Sequence, residues 1–301
     1  MTLINQGTIT KPLQTGDKVL SIAVSSPVNN KETLLQGLKI LKEWGLIIDN
    51  KVEIGRHWGY FSGEDALRHD ELYPAKTPSL TAFAKGGWGS ARLLEYPQPW
   101  KVGWVLGYSD ISSLLLARLK AGFDGGVHGP MISTLATEPK WSKERLRSLL
   151  FDKSVPSLYG EPWVDGIGHG PLIATNLTVG SHLLGSSHMP NLKGAILVIE
   201  DIGEAPYRID RMLTQWRLNG LLQNLAGLAF GTFRDCESQQ EDQDNQSFNL
   251  QEILKERSMD LNIPVVANLP VGHCCGNAAL PLGWEATLNG QQGTLSLFPC
   301  S

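Results

Sequence analysis

Apolar residues in the first half of the chain fall into two alternating kinds of run. Short continuous runs at residues 18–24, 46–54, 79–84 and 102–106 are bounded by turn residues such as Ser25-Ser26-Pro27, and they predict buried strands. Between them lie segments with helical spacing. Leu34, Leu38 and Leu41 recur at intervals of four and three within residues 31–44, and Gly45 stands where a helix stops. Residues 64–72 and 111–120 read the same way. This alternation of strand and helix predicts a mostly parallel sheet covered by helices.

The rhythm breaks over residues 133–170, which are rich in Pro, Gly, Trp and charge and read as a linker plus the first edge of a second domain. Strand patterns resume at 195–199, 227–233, 265–267, 285–288 and 294–298, with helices expected over 206–221 and 250–257. Residues 236–247 are rich in Gln, Glu and Asp and read as a solvated loop. A chain of 301 residues exceeds the commonest single-core size, so the expected division is 1–132, 133–170 and 171–301.

Composition narrows the function classes. With 42% apolar residues and 19% charged, the chain can build sizeable cores and does not have the make-up of a disordered protein. A net charge of -4 without any basic run supports neither a nucleic-acid nor a membrane-surface partner. Residues 1–16 are polar, and no run approaches the roughly 20 apolar residues of a membrane span, so a cytoplasmic location is expected. Cys274 and Cys275 are adjacent and no Cys-x-x-Cys spacing occurs. Cys236, Cys274, Cys275 and Cys300 therefore read as unlinked thiols, and no metal is expected.

Four features could carry chemistry. Ser109 follows an apolar strand and opens a helix; a sharp turn there lifts a hydroxyl out of the sheet beside unpaired helix N–H groups. The alternative is that it merely caps the helix. Gly86-Gly87-Trp88-Gly89 also follows a strand, and its glycines could bring backbone N–H groups to an oxyanion or simply form a tight turn. Glu200 and Asp201 close the apolar run 196–199, where a carboxylate is partly desolvated and can orient an imidazole. Asp201, Glu204 and Asp210 read as structural partners of Arg208 or Arg211. Among seven histidines, His273 lies in a Gly-flanked loop and is the candidate base, with His128 as its competitor. The order serine, acid, histidine places the acid and base in the second half and the site between two domains.

These residues sit in blocks that resemble the LD-carboxypeptidase family. The blocks run from Lys85-Gly86-Gly87-Trp88-Gly89-Ser90-Ala91-Arg92 through Gly107-Tyr108-Ser109-Asp110 and His128-Gly129-Pro130-Met131. They continue with Leu197-Val198-Ile199-Glu200-Asp201-Ile202-Gly203-Glu204, Leu269-Pro270-Val271-Gly272-His273 and Leu280-Pro281-Leu282-Gly283, in the family order. The resemblance implies a serine peptidase without metal or cofactor, in which Ser109 is nucleophile, Glu200 the acid and His273 the base. It also implies oxyanion donors at the backbone of Asp110, Gly86 and Gly87. The implied substrate is a murein tetrapeptide that loses its terminal D-Ala during cell-wall recycling, and the implied assembly is a homodimer. A microcin-immunity branch of the family cleaves peptidyl-nucleotides instead; a general amidase or esterase and a non-catalytic peptide binder are further alternatives.

Lys85 stands where the family usually has Arg, Trp88 replaces a Tyr, Ala174-Thr175 replaces Gly-Gly before Asn176-Leu177, and Cys274-Cys275 follow the histidine. A lysine cannot grip a carboxylate in the bidentate fork of an arginine. Lys85, Trp88 and Arg92 remain candidates for substrate binding. The expected fold is α/β: an N-terminal, mostly parallel Rossmann- or flavodoxin-like sheet with flanking helices, a C-terminal β-rich α/β domain, and a catalytic site in the cleft between them.

Overall fold

The structure, a computed structural model, describes residues 3–237 and 247–299. Most of the acidic stretch expected as a solvated loop, and Cys300, lie outside the described residues.

The first half alternates as its pattern predicts: β1 (Lys18–Ile22), α1 (Lys31–Glu43), β2 (Ile47–Asn50), α2 (Asp65–Leu72), β3 (Leu80–Phe83), β4 (Trp104–Gly107), α3 (Ser112–Lys120), β5 (Gly126–His128) and α4 (Ile132–Leu135). There follow α5 (Lys140–Asp152), β6 (Leu158–Tyr159), β7 (Glu161–Val164), β8 (Ile167–Asn176), α6 (Leu177–Leu183), β9 (Ile196–Ile202) and α7 (Pro206–Leu218). The chain closes with β10 (Gly227–Arg234), α8 (Leu250–Glu256), β11 (Val265–Ala267), β12 (Leu280–Pro281), β13 (Glu285–Asn289) and β14 (Thr294–Phe298).

The first sheet has the order β2-β1-β3-β4-β5, all parallel, with β12 antiparallel against β5. Strands β3 and β9 are buried along nearly their whole length, which is why they read as continuous apolar runs rather than alternating ones. The second sheet has the order β6-β14-β13-β8-β9-β10-β11-β7. Its centre, β8 to β11, is parallel and its flanks are antiparallel.

The chain runs from β1 outward to β2 and from β3 the opposite way to β4, so the loops after β1 and β3 diverge at the carboxyl ends of the strands. Open α/β sheets bind ligands in that crevice. Helix α1 starts there, capped by Asn30, whose side chain accepts from the backbone N–H groups of Glu32 and Thr33. It buries Leu34, Leu38 and Leu41. Gly37 lets α1 lie directly on α4, since a Cβ would stand 1.9 Å from the Ile132 carbonyl oxygen. The residues before and along α4 are thereby held beside the start of α1.

Residues 133–170, expected as a linker plus the first edge of a second domain, carry regular structure. They hold the thirteen-residue helix α5, which buries Leu146, Leu149 and Leu150 under a highly charged outer face. They also supply β6 and β7, the two outermost strands of the second sheet. The long central strand β8 escapes a sequence reading because its first half carries Gly and His and pairs with β13, whereas its second half is fully buried. Of the three acidic residues at and after the end of β9, one takes the expected partner and two do not. Glu204 pairs with Arg208 at 3.4 Å, but Asp210 faces Arg257 at 3.4 Å. Asp201 accepts from Asn176 Nδ2 and from the Thr178 backbone, both at 2.9 Å, and so ties the end of β9 to that of β8.

Candidate active site

Strand β4 runs out through Tyr108 into Ser109, which has φ 59. A non-glycine residue in that left-handed region is strained by roughly 1–2 kcal/mol, and such strain collects at functional sites. A single 3₁₀ turn, Ser109–Ile111, then leads into α3. Neither this turn nor α3 is capped by a side chain, so Ser109 is not a capping serine.

Asp110 fixes the turn against its neighbours. Its carboxylate accepts from Ser25 Oγ at 2.5 Å and from the Ser90 backbone at 2.9 Å, while Ser90 Oγ donates to the Asp110 carbonyl at 2.6 Å. The loops after β1 and β3 are thus bound to the turn that carries Ser109. The glycine turn lies directly against it. A Cβ at Gly86 would stand 3.2 Å from Ser109 Oγ and 3.5 Å from the Asp110 nitrogen. Gly87 has φ 118, and a Cβ there would stand 2.4 Å from Ser26 Oγ, so only glycine fits.

Glu200, at the end of β9, has no exposed surface. Its Oε2 accepts from His273 Nδ1 at 2.7 Å, although 73 residues separate the two in the chain. Val271-Gly272 brings the histidine in. A Cβ on Gly272, whose φ is 105, would stand 2.4 Å from Glu200 Oε2. The loop is anchored by Asn277 Oδ1, which accepts from the Gly272 backbone at 2.9 Å, and by Glu138, which accepts from the backbones of Gly276 and Asn277. Burial favours a neutral Glu200, but the imidazoles of His128 and His273 beside it outweigh burial and hold the carboxyl down to about 2. Burial pushes the adjacent Cys274 thiol up to about 11, so it stays protonated and is a poor nucleophile.

Ser109, Gly86, Gly87, Tyr108 and His273 line one cleft of about 390 Å³, together with Lys85 and the first residues of α1. A pocket of this size holds a small ligand. Every contribution except His273 comes from the loops and helix starts that follow β1, β3, β4 and β5. No hydrogen bond joins Ser109 to His273 among the described residues. Catalytic hydrogen bonds often tighten only once substrate is bound.

Residues 19–129 match the model of the LD-carboxypeptidase N-terminal domain, and residues 169–288 match that of the LD-carboxypeptidase C-terminal domain. The chain belongs to the LD-carboxypeptidase family. A putative carboxypeptidase of Synechocystis is 41% identical over 95% of this chain and 96% of its own. The murein tetrapeptide carboxypeptidase of Pseudomonas aeruginosa is 31% identical over 79% of this chain and 84% of its own. Among solved structures, muramoyltetrapeptide carboxypeptidase from Oxalobacter formigenes superposes with a TM-score of 0.81 at 26% identity, covering 94% of this chain and all of that one. The microcin C7 self-immunity protein MccF, solved with glutamyl sulfamoyl guanosine, shares the fold with a TM-score of 0.80 at 20% identity, over 97% of this chain and 99% of that one.

Membership makes the chain a peptidase, and hence a hydrolase. Two side chains named from the sequence are not among those that line the cleft. Arg92 is bound to Asp65 and lies over the rings of Phe61 and Trp58. Trp88 donates its indole N–H to the Tyr60 carbonyl at 2.8 Å. Conversely, Asn29, Asn30, Thr33, Ser133 and Thr134 line the cleft without having been singled out. An Asn cap at the mouth of α1 was the one legible signal for the first three.

The glycine before the histidine yields a prediction. Gly272→Ala is expected to cost more than about 1 kcal/mol of stability, because φ 105 disfavours any side chain. By displacing His273 from Glu200 it should also lower peptidase activity roughly a hundredfold. Urea unfolding and initial rates measure the two effects separately.

Proposed function

We propose that this chain is a serine LD-carboxypeptidase that hydrolyses an L,D-peptide bond and releases terminal D-Ala from a murein tetrapeptide. One observation carries the reading: Ser109, held at φ 59 against the Gly86 turn, shares a cleft with His273, which is bound to the fully buried carboxylate of Glu200. The names of the murein-peptide relatives support the substrate. A cytoplasmic role in recycling wall fragments accords with it.

In this reading His273 takes the proton of Ser109 as its oxygen attacks the scissile carbonyl, and Glu200 stabilises the imidazolium that forms. Backbone N–H groups of Asp110 and of the Gly86-Gly87 turn face the developing oxyanion, an effect worth roughly 3–4 kcal/mol per donor. His273 then protonates the departing amine of D-Ala. Water, deprotonated by the same imidazole, attacks the acyl-enzyme, and the tripeptide leaves with its new carboxylate. Lys85, the cation lining the cleft, pairs with the free carboxylate of the D-residue. Lys85→Met is expected to raise KM about tenfold with kcat little changed, the pattern of a lost ground-state ion pair.

A substrate panel followed by mass spectrometry tests the function. It compares a tetrapeptide ending in D-Ala, the same peptide ending in L-Ala, and an aminoacyl-sulfamoyl nucleoside. Release of D-Ala alone is expected. Cleavage of the nucleoside conjugate with the tetrapeptide left intact would refute the murein substrate while leaving the three residues in place.

A further inference from the structure

Strand β5 ends on His128, whose backbone is paired with Gly107 of β4 on one side and Leu280 of β12 on the other. Its side chain has no exposed surface. The imidazole packs edge-on against Tyr108, with centroids 5.8 Å apart, and Tyr108 in turn lies 4.9 Å from the ring of His273. Nε2 of His128 stands 3.7 Å from Glu200 Oε1, the oxygen that His273 does not use. That oxygen and both ring nitrogens of His128 have no hydrogen-bond partner among the described residues. Buried polar atoms are almost always paired. Here a donor and an acceptor face each other, and a shift of under about 1 Å brings them to hydrogen-bond length.

We infer that His128 is a positioning residue, whose Nε2–H holds Glu200 Oε1 so that Oε2 is presented to His273. The inference rests on the reading of Glu200 and His273 as acid and base. A glutamate carboxylate turns easily about its last torsion, which is broad and two-fold. One hydrogen bond leaves it free to swing; two, on opposite oxygens, do not. The second donor also helps keep a fully buried carboxylate ionised. The other titratable and charged groups acting on this cluster are Tyr108 and Cys274, both kept neutral by burial, Asp201 beside Glu200, and, through space, Glu138 and Arg234. The carboxylate of Glu200, at 3.7 Å, is the charge that stands against the His128 ring.

Three variants test this in the full chain. H128F keeps the ring and its contact with Tyr108 but has no N–H. H128Q places an amide N–H near the position of Nε2, and H128N is polar but too short to reach it. In H128F and H128N, kcat is expected to fall ten- to a hundredfold, the range typical of residues that orient a catalytic ligand, with KM within about twofold. The acid limb of the kcat/KM profile should move to lower pH, because a carboxylate free to swing holds the charged form of His273 less tightly. H128Q should restore most of kcat and the original limb. Wild-type kinetics in both H128F and H128N would overturn the inference, as would equal loss in H128Q and H128N with an unmoved profile.

A readout that needs no substrate separates this failure from failure of the triad. The proton between His273 Nδ1 and Glu200 is expected to give a far-downfield NMR signal that survives in H128Q and broadens away in H128F and H128N. Its persistence in those two variants would overturn the positioning role whatever the substrate proves to be. A Ser109→Ala variant that retains turnover would sink the triad reading alone.

Discussion

Ser109→Ala is expected to lose at least about 10⁴-fold in kcat on a murein tetrapeptide, the scale seen when a serine hydrolase loses its nucleophile. Folding should be unaffected. The hydroxyl of Ser109 makes no hydrogen bond among the described residues, and alanine carries the same left-handed strain as serine. Ser109→Gly separates the two properties further. Glycine adopts φ near 59 freely, so this variant should be inactive and yet about 1 kcal/mol more stable than the parent. Mass spectrometry of released D-Ala and urea denaturation measure both. Turnover within tenfold of the parent in either variant would remove Ser109 from the chemistry.

The second large effect is at Glu200. Glu200→Gln is expected to lower kcat/KM by roughly 10³–10⁴-fold, since an amide neither fixes the imidazole tautomer nor stabilises its cation. The same substitution should change the acid stability of the protein. In the folded chain the carboxyl is held near 2, against an ordinary value of 4.5. Between those limits the unfolded chain binds more protons than the folded one, so stability present above pH 4.5 is lost as pH falls towards 2. The linked free energy is about 3 kcal/mol. Glu200→Gln should flatten the stability curve in that window, and urea titrations at pH 5, 4 and 3 would reveal it. An unchanged slope would mean that Glu200 does not supply the linkage.

Much of the fold could be read from the chain because its signals are local. Leu34, Leu38 and Leu41 at helical spacing and Gly45 at the stop define α1 within a few consecutive residues, and Asn30 closes its start through Oδ1. Strands β11 and β14 likewise begin and end where their apolar runs do. Helix α5 was less legible, since Lys140, Lys143, Glu144 and Arg147 dominate its composition while its buried stripe is narrow. Strand β8 was hidden because its two halves face different neighbours, so no single period describes it.

The site divides along the same line. Ser109 at a strand-to-helix turn, the glycines after β3, the carboxylate closing β9 and a histidine between turn residues are features of short segments, and the family blocks carry them in order. Which of these side chains meet is a different matter. The 2.7 Å contact between His273 and Glu200 depends on Gly272 and Gly231 admitting the backbone of one loop against another strand. The retreat of Arg92 to Asp65, and the approach of His128 to the far oxygen of Glu200, depend on pairings across the first sheet and α2. The sequence by itself determined the elements and the chemical groups at their ends, because hydrogen bonding and periodicity act over a few residues. Only the tertiary structure decided the strand order, the crevice and the partners of each group, because those follow from packing between segments tens of residues apart.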